Sequence, residues 1–380
     1  MKKISLCLLV ALLFAMFPVR ANAANIQVKG KSAVLMDVET GTVLSEQNAH
    51  EALAPASVTK VMTMLLIMEA IDSGKIGWED MVTASETAAA KGGSQIYLKV
   101  GEQMTVSDMV KSIAVSSAND CACAMAEHIA GSEAAFVEKM NARAAELGMK
   151  DTHFVNCTGL DDDPEAANHK TSAYDIAIMS RELIKNHPDI KKFTTIWMDT
   201  VRNGTFGLAN TNKMVRFYNG CTGLKTGFTQ KAGYCLSATA KREDMELIAV
   251  VMGAESSQDR FGACKQLLDY GFANFALVSP QTQAQTVPVR LGTDNTVTAV
   301  PAEKGAVLID KSQKSMVETQ IELLPEVAAP VGKGQRLGTV TLKAGQQILK
   351  EIPLIAEEGV ARLTWSEIFW QILQRIAFKG

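Results

Sequence analysis

The first half of the chain carries the apolar periodicity of amphipathic helices. Apolar side chains recur with a period near 3.6 in several runs between turn-rich segments such as Lys91-Gly92-Gly93-Ser94. The predicted helices cover residues 57–72, 107–115, 119–130, 133–147 and 172–186. The first run is apolar from Val61 to Met68, which predicts a helix buried on all sides.

Strand patterns lie on both sides of these helices. Residues 33–36 and 42–44 flank Glu39-Thr40-Gly41 and predict a hairpin. Further strands are predicted at residues 233–240 and 245–253, followed by a helix over 259–274. Strands at both ends with helices between them favour an α+β layered domain.

The pattern changes at Ser279-Pro280-Gln281-Thr282. Beyond this point the helical period disappears, and short alternating runs predict strands at residues 286–291, 296–300, 305–309, 317–323 and 337–342. This small all-β domain contains no histidine and no cluster of catalytic residues. We therefore expect a supporting pedestal or an interaction surface.

The last residues predict an amphipathic helix. Its apolar face comprises Trp365, Ile368, Phe369, Ile372, Leu373 and Ile376, and its polar side comprises Ser366, Glu367, Gln371, Gln374, Arg375 and Lys379. The stretch is too short and too polar to span a bilayer. Such a face either packs on a core or lies in a membrane interface.

The first 23 residues have the pattern of a secretory signal peptide. Lys2 and Lys3 precede an apolar run over residues 4–19, and Ala21-Asn22-Ala23 offers a small-residue cleavage site. An uncleaved N-terminal membrane anchor is the alternative. Cleavage would remove three positive charges and no negative one, so the net charge would change from −3 to −6. A mildly acidic protein is a poor partner for nucleic acid.

Composition fits an exported protein of two or more domains. Hydrophobic residues make up 47% of the 380 positions, which is enough for a large core. Apart from Cys7 in the signal, the cysteines are Cys121, Cys123, Cys157, Cys221, Cys235 and Cys264. Several lie in apolar segments, which favours mostly free, buried thiols. Cys121-Ala122-Cys123 lacks a zinc-site spacer and no His-Glu-x-x-His occurs, so no metal site is predicted.

Three short motifs carry the candidate chemistry. Ser57-Val58-Thr59-Lys60, Ser117-Ala118-Asn119 and Lys225-Thr226-Gly227 each occur once, in that order. Helical spacing puts Ser57 and Lys60 on one face, and a lysine kept neutral by burial can act as the base that a serine nucleophile needs. Taken singly, the motifs could have purely structural roles, as helix caps or exposed turns. Their joint order favours an active site.

These motifs resemble those of D-alanyl-D-alanine carboxypeptidases, which are low-molecular-mass penicillin-binding proteins. The similarity extends from about residue 25 to the C-terminus. It includes residues 220–229 and 233–240, Asn168-His169, Ala173-Tyr174-Asp175 and Asp259-Arg260-Phe261. The resemblance implies the penicillin-recognising fold, an antiparallel sheet with a helical cluster. It also implies peptidoglycan stem peptides ending in D-Ala-D-Ala as substrates, β-lactam antibiotics as covalent inhibitors, and no metal or cofactor.

The resemblance assigns the reacting groups. Ser57 would attack the carbonyl of the penultimate D-alanine, and Lys60 would accept its proton. Ser117 would relay protons towards the leaving amine. The backbone amides of Ser57 and Phe228 would hold the oxyanion.

It also implies a set of substrate-binding residues. Asn119 would hold the substrate amide and the lysine. Lys225 and Thr226 suit a terminal carboxylate, because they offer a positive charge and a hydroxyl donor. Gly227 would let the substrate backbone approach the strand edge. Arg260 corresponds to a family arginine near the carboxylate subsite.

Other functions fit these residues less well. A class A β-lactamase needs a carboxylate that activates the deacylating water. Glu165 lies three residues before Asn168, whereas that family has a spacing of four. A Ser-His-Asp hydrolase would show G-x-S-x-G, which is missing from the sequence. A catalytically silent membrane-bound wall-binding protein would not need Ser57, Lys60 and Lys225 together.

The sequence therefore predicts four parts. Residues 1–23 form a signal peptide, 24–278 the carboxypeptidase domain, 279–360 the small all-β domain and 361–380 a membrane-anchor helix, which the family commonly has. We expect an enzyme of peptidoglycan synthesis and cell shape, exported and held peripherally at the outer face of the bacterial cytoplasmic membrane.

Overall fold

The computed structural model describes residues 26–162, 164–281 and 283–377. Contacts divide the chain into a first unit that ends at Ala273 and a second that begins at Asn274. The predicted signal peptide, residues 1–23, lies outside the described residues.

The first unit is built around a five-stranded antiparallel sheet. Its strands and those of two small hairpins are β1 Ser32–Asp37, β2 Val43–Gln47, β3 Met81–Thr83, β4 Gln103–Thr105, β5 Met198–Val201, β6 Phe206–Ala209, β7 Cys221–Thr229, β8 Gly233–Arg242 and β9 Met245–Ala254. The order in the main sheet is β2-β1-β9-β8-β7, so β7 is an edge strand. The predicted terminal strands therefore come together in one sheet, and the expected α+β class is confirmed.

Helices fill the sequence between these strands. They are α1 Lys60–Asp72, α2 Glu86–Ala89, α3 Val106–Ser116, α4 Asn119–Ala130, α5 Glu133–Glu146, α6 Ala173–Asn186, α7 Lys191–Thr194, α8 Met214–Phe217 and α9 Ser257–Asn274. The helix predicted from residue 57 begins at Lys60, because Ala56–Thr59 form a 3-10 turn.

Helix α1 lies in the centre of this unit. From Val61 to Leu65 every side chain is fully buried, as the apolar run predicted. The helix packs against α4 and α6, and the 3-10 turn Ala56–Thr59 that precedes it contacts β7. The sheet and the helical cluster therefore meet at the start of α1.

The second unit is an all-β structure followed by a helix. Its strands are β10 Phe275–Val278, β11 Gln285–Arg290, β12 Thr296–Pro301, β13 Val307–Asp310, β14 Val317–Leu323, β15 Val327–Ala328, β16 Arg336–Ala344 and β17 Gln347–Ala356. Six of them form a sheet in the order β14-β16-β17-β12-β11-β15, and β10 pairs with β13. Its core includes Val287, Leu337, Val340 and Ile352.

The second unit ends in α10, Trp365–Ala377. A capping box starts this helix, since Thr364 N donates to the Glu367 carboxylate at 2.7 Å and Glu367 N to Thr364 Oγ1 at 3.4 Å. The side chains of Arg375, Ile376 and Lys379, which continue the predicted pattern, lie outside the described part of the chain. Among the described residues, no helix combines the length and the apolar composition needed to cross a bilayer.

The cysteines follow the sequence prediction. All six that follow the predicted signal are free; five are buried and Cys221 is half-buried.

Candidate active site

Ser57 lies in a tight turn that the surrounding chain holds from two sides. Ala56, just before it, adopts φ +48°, a left-handed conformation that costs energy in a residue with a Cβ atom. A Cβ atom on Gly159 would lie 1.9 Å from the Ala56 carbonyl oxygen, and one on Gly227 would lie 3.0 Å from the Ser57 amide nitrogen. Glycine is therefore needed at both places for the chain to close around the nucleophile.

Lys60 connects the nucleophile to a neighbouring loop. Its Nζ donates to Ser57 Oγ at 3.0 Å and to the Thr158 carbonyl at 2.8 Å. Burial lowers the pKa of Lys60 to about 7, although the nearby Cys157 and Asp120 act in the opposite direction. A large fraction of the amine is therefore neutral near neutral pH, and this fraction can accept the serine proton.

Ser117 and Asn119 contribute buried polar atoms that lack partners. Ser117 adopts φ +63° at the end of α3, and Asn119 is the first residue of α4. Ser117 Oγ and Asn119 Oδ1 are buried and make no hydrogen bond within the described residues. The side-chain nitrogen Nδ2 of Asn119 donates to the Gly92 carbonyl at 2.7 Å. Neither side chain caps α4, so the alternative interpretation of this motif as a helix cap does not apply. Both unpartnered oxygen atoms are available to a ligand.

Lys225 and Thr226 lie within the edge strand β7. Lys225 is fully buried, and its Nζ donates to the Thr226 carbonyl at 2.9 Å. Burial, and then the charges of Lys60 and Arg260, hold the pKa of Lys225 well below its usual range. Thr226 Oγ1 donates to Thr211 Oγ1 at 2.6 Å. The motif is thus part of the sheet rather than an exposed turn, and an incoming carboxylate would favour the charged form of Lys225.

Arg260 binds the backbone of β7 and of its neighbour β8. The Arg260 guanidinium is buried, and its Nη1 donates to the carbonyls of Gly227 at 2.9 Å and Cys235 at 3.3 Å. This burial excludes an exposed ion pair as the role of Arg260. Phe228 is half exposed, with its ring 4.3 Å from the ring of Tyr234.

The structure joins most of the predicted site residues. Direct contacts link Ser57 to Lys60 and Gly227 to Arg260, and the close approach at Gly227 brings β7 to the serine turn. Ser117 and Asn119 belong to the same region through Asp120, whose charge acts on Lys60. Among the described residues, no hydrogen bond joins either of them to Ser57 or Lys60.

Two further residues of the site, Asp120 and Thr158, lie outside the three sequence motifs. Asp120 is buried and accepts the backbone amides of Ile96 and Leu98, so it fixes the loop before α3. The Thr158 carbonyl binds Lys60 from 98 residues away. A contact at that separation leaves no local signal in the sequence.

Tyr97 and Glu165 are both exposed to solvent. Tyr97 is 66% exposed with φ +62°, so it is not a core aromatic. Its position follows from Asp120, which binds the amides on either side of it. Glu165, the carboxylate considered for a β-lactamase, is exposed in the 3-10 helix Pro164–Asn168.

One carboxylate cluster in the described residues has the spacing of a metal site, away from Ser57. Glu69, Glu182 and His187 offer ligand atoms within 4.8 Å of one another. Arg143 donates to both glutamates at 2.7 Å, and His187 contacts Asp72. An ion-pair network therefore accounts for this cluster.

Comparison with known proteins gives matches over both units of the chain. Residues 19–256 match the family model described as D-alanyl-D-alanine carboxypeptidase, and residues 272–362 match that of the penicillin-binding protein 5 C-terminal domain. The Bacillus subtilis D-alanyl-D-alanine carboxypeptidase DacF is 45% identical over 341 residues, which cover 88% of this chain and 86% of that protein.

Solved structures give the same result. Penicillin-binding protein 5 from Haemophilus influenzae is 32% identical and superimposes with a TM-score of 0.72, covering 89% of this chain and 99% of that one. Penicillin-binding protein D2 from Listeria monocytogenes, solved with cefotaxime bound, is 32% identical with a TM-score of 0.60. It covers 66% of this chain and 99% of its own.

Proposed function

Because this chain belongs to the D-alanyl-D-alanine carboxypeptidase family of serine peptidases, we propose that it removes the terminal D-alanine from peptidoglycan stem peptides through an acyl-enzyme on Ser57. One observation carries the assignment. A fully buried lysine, Lys60, whose pKa is lowered to about 7, lies 3.0 Å from the hydroxyl oxygen of a serine in a strained turn.

Acylation begins at the carbonyl of the penultimate D-alanine. Ser57 Oγ attacks the carbonyl carbon while its proton passes to Lys60 Nζ. The amides of Ser57 and Phe228 stabilise the negative oxygen of the tetrahedral intermediate, and each such donor is typically worth about 3–4 kcal/mol. The bond to the terminal D-alanine then breaks, and the proton that Lys60 accepted passes through Ser117 to the leaving amine, which returns Lys60 to its neutral form.

Deacylation uses the same base. A water molecule attacks the ester carbon and gives a proton to Lys60. The Ser57 oxygen leaves and takes that proton back from Lys60, which restores the free enzyme. All steps are proton transfers and acyl transfers by groups of this chain.

Substrate binding uses the opposite wall of the site. The ammonium of Lys225 and the hydroxyl of Thr226 bind the terminal carboxylate, since a charged donor and a neutral donor together match its two oxygens. The free Oδ1 of Asn119 accepts from a substrate amide. Gly227 and the outer edge of β7 align the peptide backbone, while Arg260 keeps that edge in place through the Gly227 carbonyl.

A β-lactam antibiotic would occupy the same position. Its strained amide carbonyl takes the place of the D-Ala-D-Ala peptide bond, and its carboxylate takes that of the terminal carboxylate. After attack by Ser57, the leaving amine stays tethered to the acyl group, so the ester is long-lived. Support comes from the related Listeria protein, which has been solved with cefotaxime bound.

The test is fluorescent penicillin labelling of the full chain beside Ser57→Ala, with D-alanine release followed from a pentapeptide. We expect a stable label on wild type only, together with D-alanine release. Rapid loss of label with antibiotic hydrolysis would favour a β-lactamase. The absence of any label would favour the silent wall-binding protein.

We also propose that α10 holds the enzyme at the outer face of the cytoplasmic membrane after export by residues 1–23. Support comes from its uncovered apolar side chains: Trp365, Phe369, Trp370 and Ile372 are each more than half exposed. Aromatic-rich amphipathic helices of this kind lie at headgroup depth.

Truncation tests this anchor. Deleting residues 363–380 should release a soluble enzyme whose turnover of a small peptide is unchanged. A truncated enzyme that still sediments with membranes would show that α10 is not the anchor. The predicted limits of the catalytic domain at residues 24–278 and of the β domain at 279–360 are part of the same proposal.

A further inference from the structure

A chain of hydrogen bonds runs from a buried histidine to the turn that carries Ser57. Thr59 Oγ1 donates to the Ala56 carbonyl at 2.8 Å, and His169 Nε2 lies 2.8 Å from the same hydroxyl oxygen. At the other end of the ring, the Val155 backbone amide donates to His169 Nδ1 at 3.1 Å. Each of these contacts is within normal hydrogen-bond length.

The direction of every bond in this chain is fixed. Nδ1 accepts from Val155, so the proton of the neutral ring is on Nε2. Thr59 donates its single hydroxyl proton to the Ala56 carbonyl, so Thr59 Oγ1 accepts from His169 Nε2–H. The order of donation is therefore Val155 to His169, His169 to Thr59 and Thr59 to Ala56.

The surroundings keep His169 in this neutral form. Its side chain is buried beside the Phe154 ring, at 5.7 Å between centroids. Burial lowers the pKa of His169 to about 4, and the nearby charges of His153 and Lys231 act in the same direction. A protonated ring would present two donors, and Val155 N–H would then face a donor instead of an acceptor.

The end of the chain is the peptide unit that precedes the nucleophile. The Ala56 carbonyl and the Ser57 amide belong to one planar peptide group, so fixing the carbonyl also fixes the N–H. Hydrogen bonding at the oxygen polarises that N–H. The unit needs such support because Ala56 is held at φ +48°.

We propose that His169 is a positioning residue that, through Thr59, orients and polarises the Ser57 amide as an oxyanion donor. The inference deepens the proposed function and rests on it, because it takes the Ser57 amide as one of the two donors. The substrate group it serves is the carbonyl of the penultimate residue. Among the described residues no hydrogen bond joins His169 to Ser57, so His169 acts on the reaction only through the Ala56–Ser57 peptide.

Two substitutions at His169 separate its two contacts. His169→Asn keeps an amide near the Nδ1 position, where it can accept from Val155, but it is too short to reach Thr59. His169→Gln reaches the Nε2 position and can donate to Thr59. At the other residue, Thr59→Val removes the hydroxyl while Thr59→Ser retains it.

The measurement is the rate constant of acylation by a fluorescent penicillin, separated from noncovalent binding by its concentration dependence. Loss of a whole oxyanion donor costs about 10²–10³-fold, so a misaligned donor should cost roughly 10–100-fold. We expect His169→Asn and Thr59→Val to lose this much in the rate constant with binding unchanged. His169→Gln and Thr59→Ser should stay near wild type.

A double mutant and a control substitution at a second histidine complete the design. The double mutant Thr59→Val/His169→Asn should acylate no more slowly than either single mutant, because both substitutions interrupt the same series of hydrogen bonds. His153→Asn is the matched control: His153 is exposed and bridges Lys170, the neighbour of His169. It should leave the rate constant unchanged.

Two results would overturn the inference. One is an equal loss for His169→Asn and His169→Gln that follows a fall in melting temperature, which would make His169 an ordinary core residue. The other is additive loss in the double mutant. Failure of the proposed function is a separate result, because wild type would then take no stable label at all.

Discussion

The first long helix in the described part of the chain and the last one are both rich in apolar side chains but differ in what surrounds them. In α1, the residues from Val61 to Leu65 are fully buried against α4 and α6. In α10, Trp365 is 88% and Trp370 63% exposed. Apolar periodicity therefore predicts that a helix forms, whereas its role depends on what covers the apolar side chains.

This difference decides what each helix can contribute. Burial around α1 excludes water from Lys60 and lowers its pKa to about 7, so the packing of this helix is part of the chemistry. The uncovered face of α10 has no such effect and instead offers area to an external apolar phase. Substitutions in α1 should change stability or catalysis, while substitutions in α10 should change neither.

The largest effect is expected at the buried amine of α1. Lys60→Met should slow acylation by about 10³-fold or more, because general base catalysis typically contributes 10²–10⁴-fold and the serine loses its only direct base. The check is labelling with fluorescent penicillin. Lys111→Met is the matched control; Lys111 pairs with Asp108 on the surface of α3 and should keep wild-type acylation.

The same variant should change how stability depends on pH. Since the folded pKa of Lys60 lies near 7 and its usual value is 10.5, the unfolded chain binds a proton there that the folded protein does not. This penalty is complete below about pH 7 and disappears as pH rises towards 10.5. Urea unfolding should show wild-type stability rising over this range, and Lys60→Met should lack that component. An identical pH dependence in both would contradict the assignment of a desolvated amine.

Core packing gives the next largest effect. Leu65 is fully buried in α1, so Leu65→Ala should lower the free energy of unfolding by about 2–5 kcal/mol through lost burial and a cavity. Leu66, half-buried on the same helix, should lose less when changed to alanine. Leu373→Ala in α10 should stay within about 0.5 kcal/mol of wild type. Urea unfolding measures all three, and a large loss at Leu373 would show that α10 packs on a core.

Acylation should also depend on pH in a way that isolates Lys60. The neutral amine is the base, so the rate should fall as pH drops through about 7, and by roughly tenfold per pH unit further down. Between pH 7 and 5 the loss should therefore approach roughly a hundredfold. Rate constants of acylation at constant ionic strength provide the measurement. A flat profile with an unchanged fold over this range would exclude Lys60 as the base.

Sequence reasoning identified the motif residues and most elements of this site, but not strand β7 or the contacts that hold the motifs in place. The run after Ser57 predicted the buried helix because its periodicity is local. The strained Ala56 left no signal, since alanine does not favour φ above zero. Thr59 and His169 meet across 110 residues, a relation that depends on the tertiary fold alone.

The β domain shows another limit of pattern reading. Strand β17 was not predicted, and Pro353 lies within it. Proline usually marks an edge or a break, because it cannot donate to a neighbouring strand. Here Pro353 pairs with Thr339 in β16 and directly precedes Leu354, where pairing with β12 begins. On the β12 side the Pro353 carbonyl accepts from Ala302 N at 2.9 Å, but Pro353 has no N–H to return that bond, so it lies where the pairing with β12 ends.

The smallest expected effect tests the exposed side of the comparison. Phe369 is 60% exposed in α10, and full burial of such a side chain is worth about 1.5–3 kcal/mol. Phe369→Ala should therefore weaken binding to phospholipid vesicles by about tenfold. Its free energy of unfolding and its peptide turnover should remain those of wild type.

Cosedimentation with vesicles at several lipid concentrations gives the partition coefficient. Gln371→Ala, on the polar side of α10, is the matched control and should bind as wild type does. Unchanged vesicle binding for Phe369→Ala, or a loss of unfolding free energy like that at Leu65, would place the apolar side of α10 against protein instead of lipid. In that case the first and last helices would differ in exposure but share a structural role.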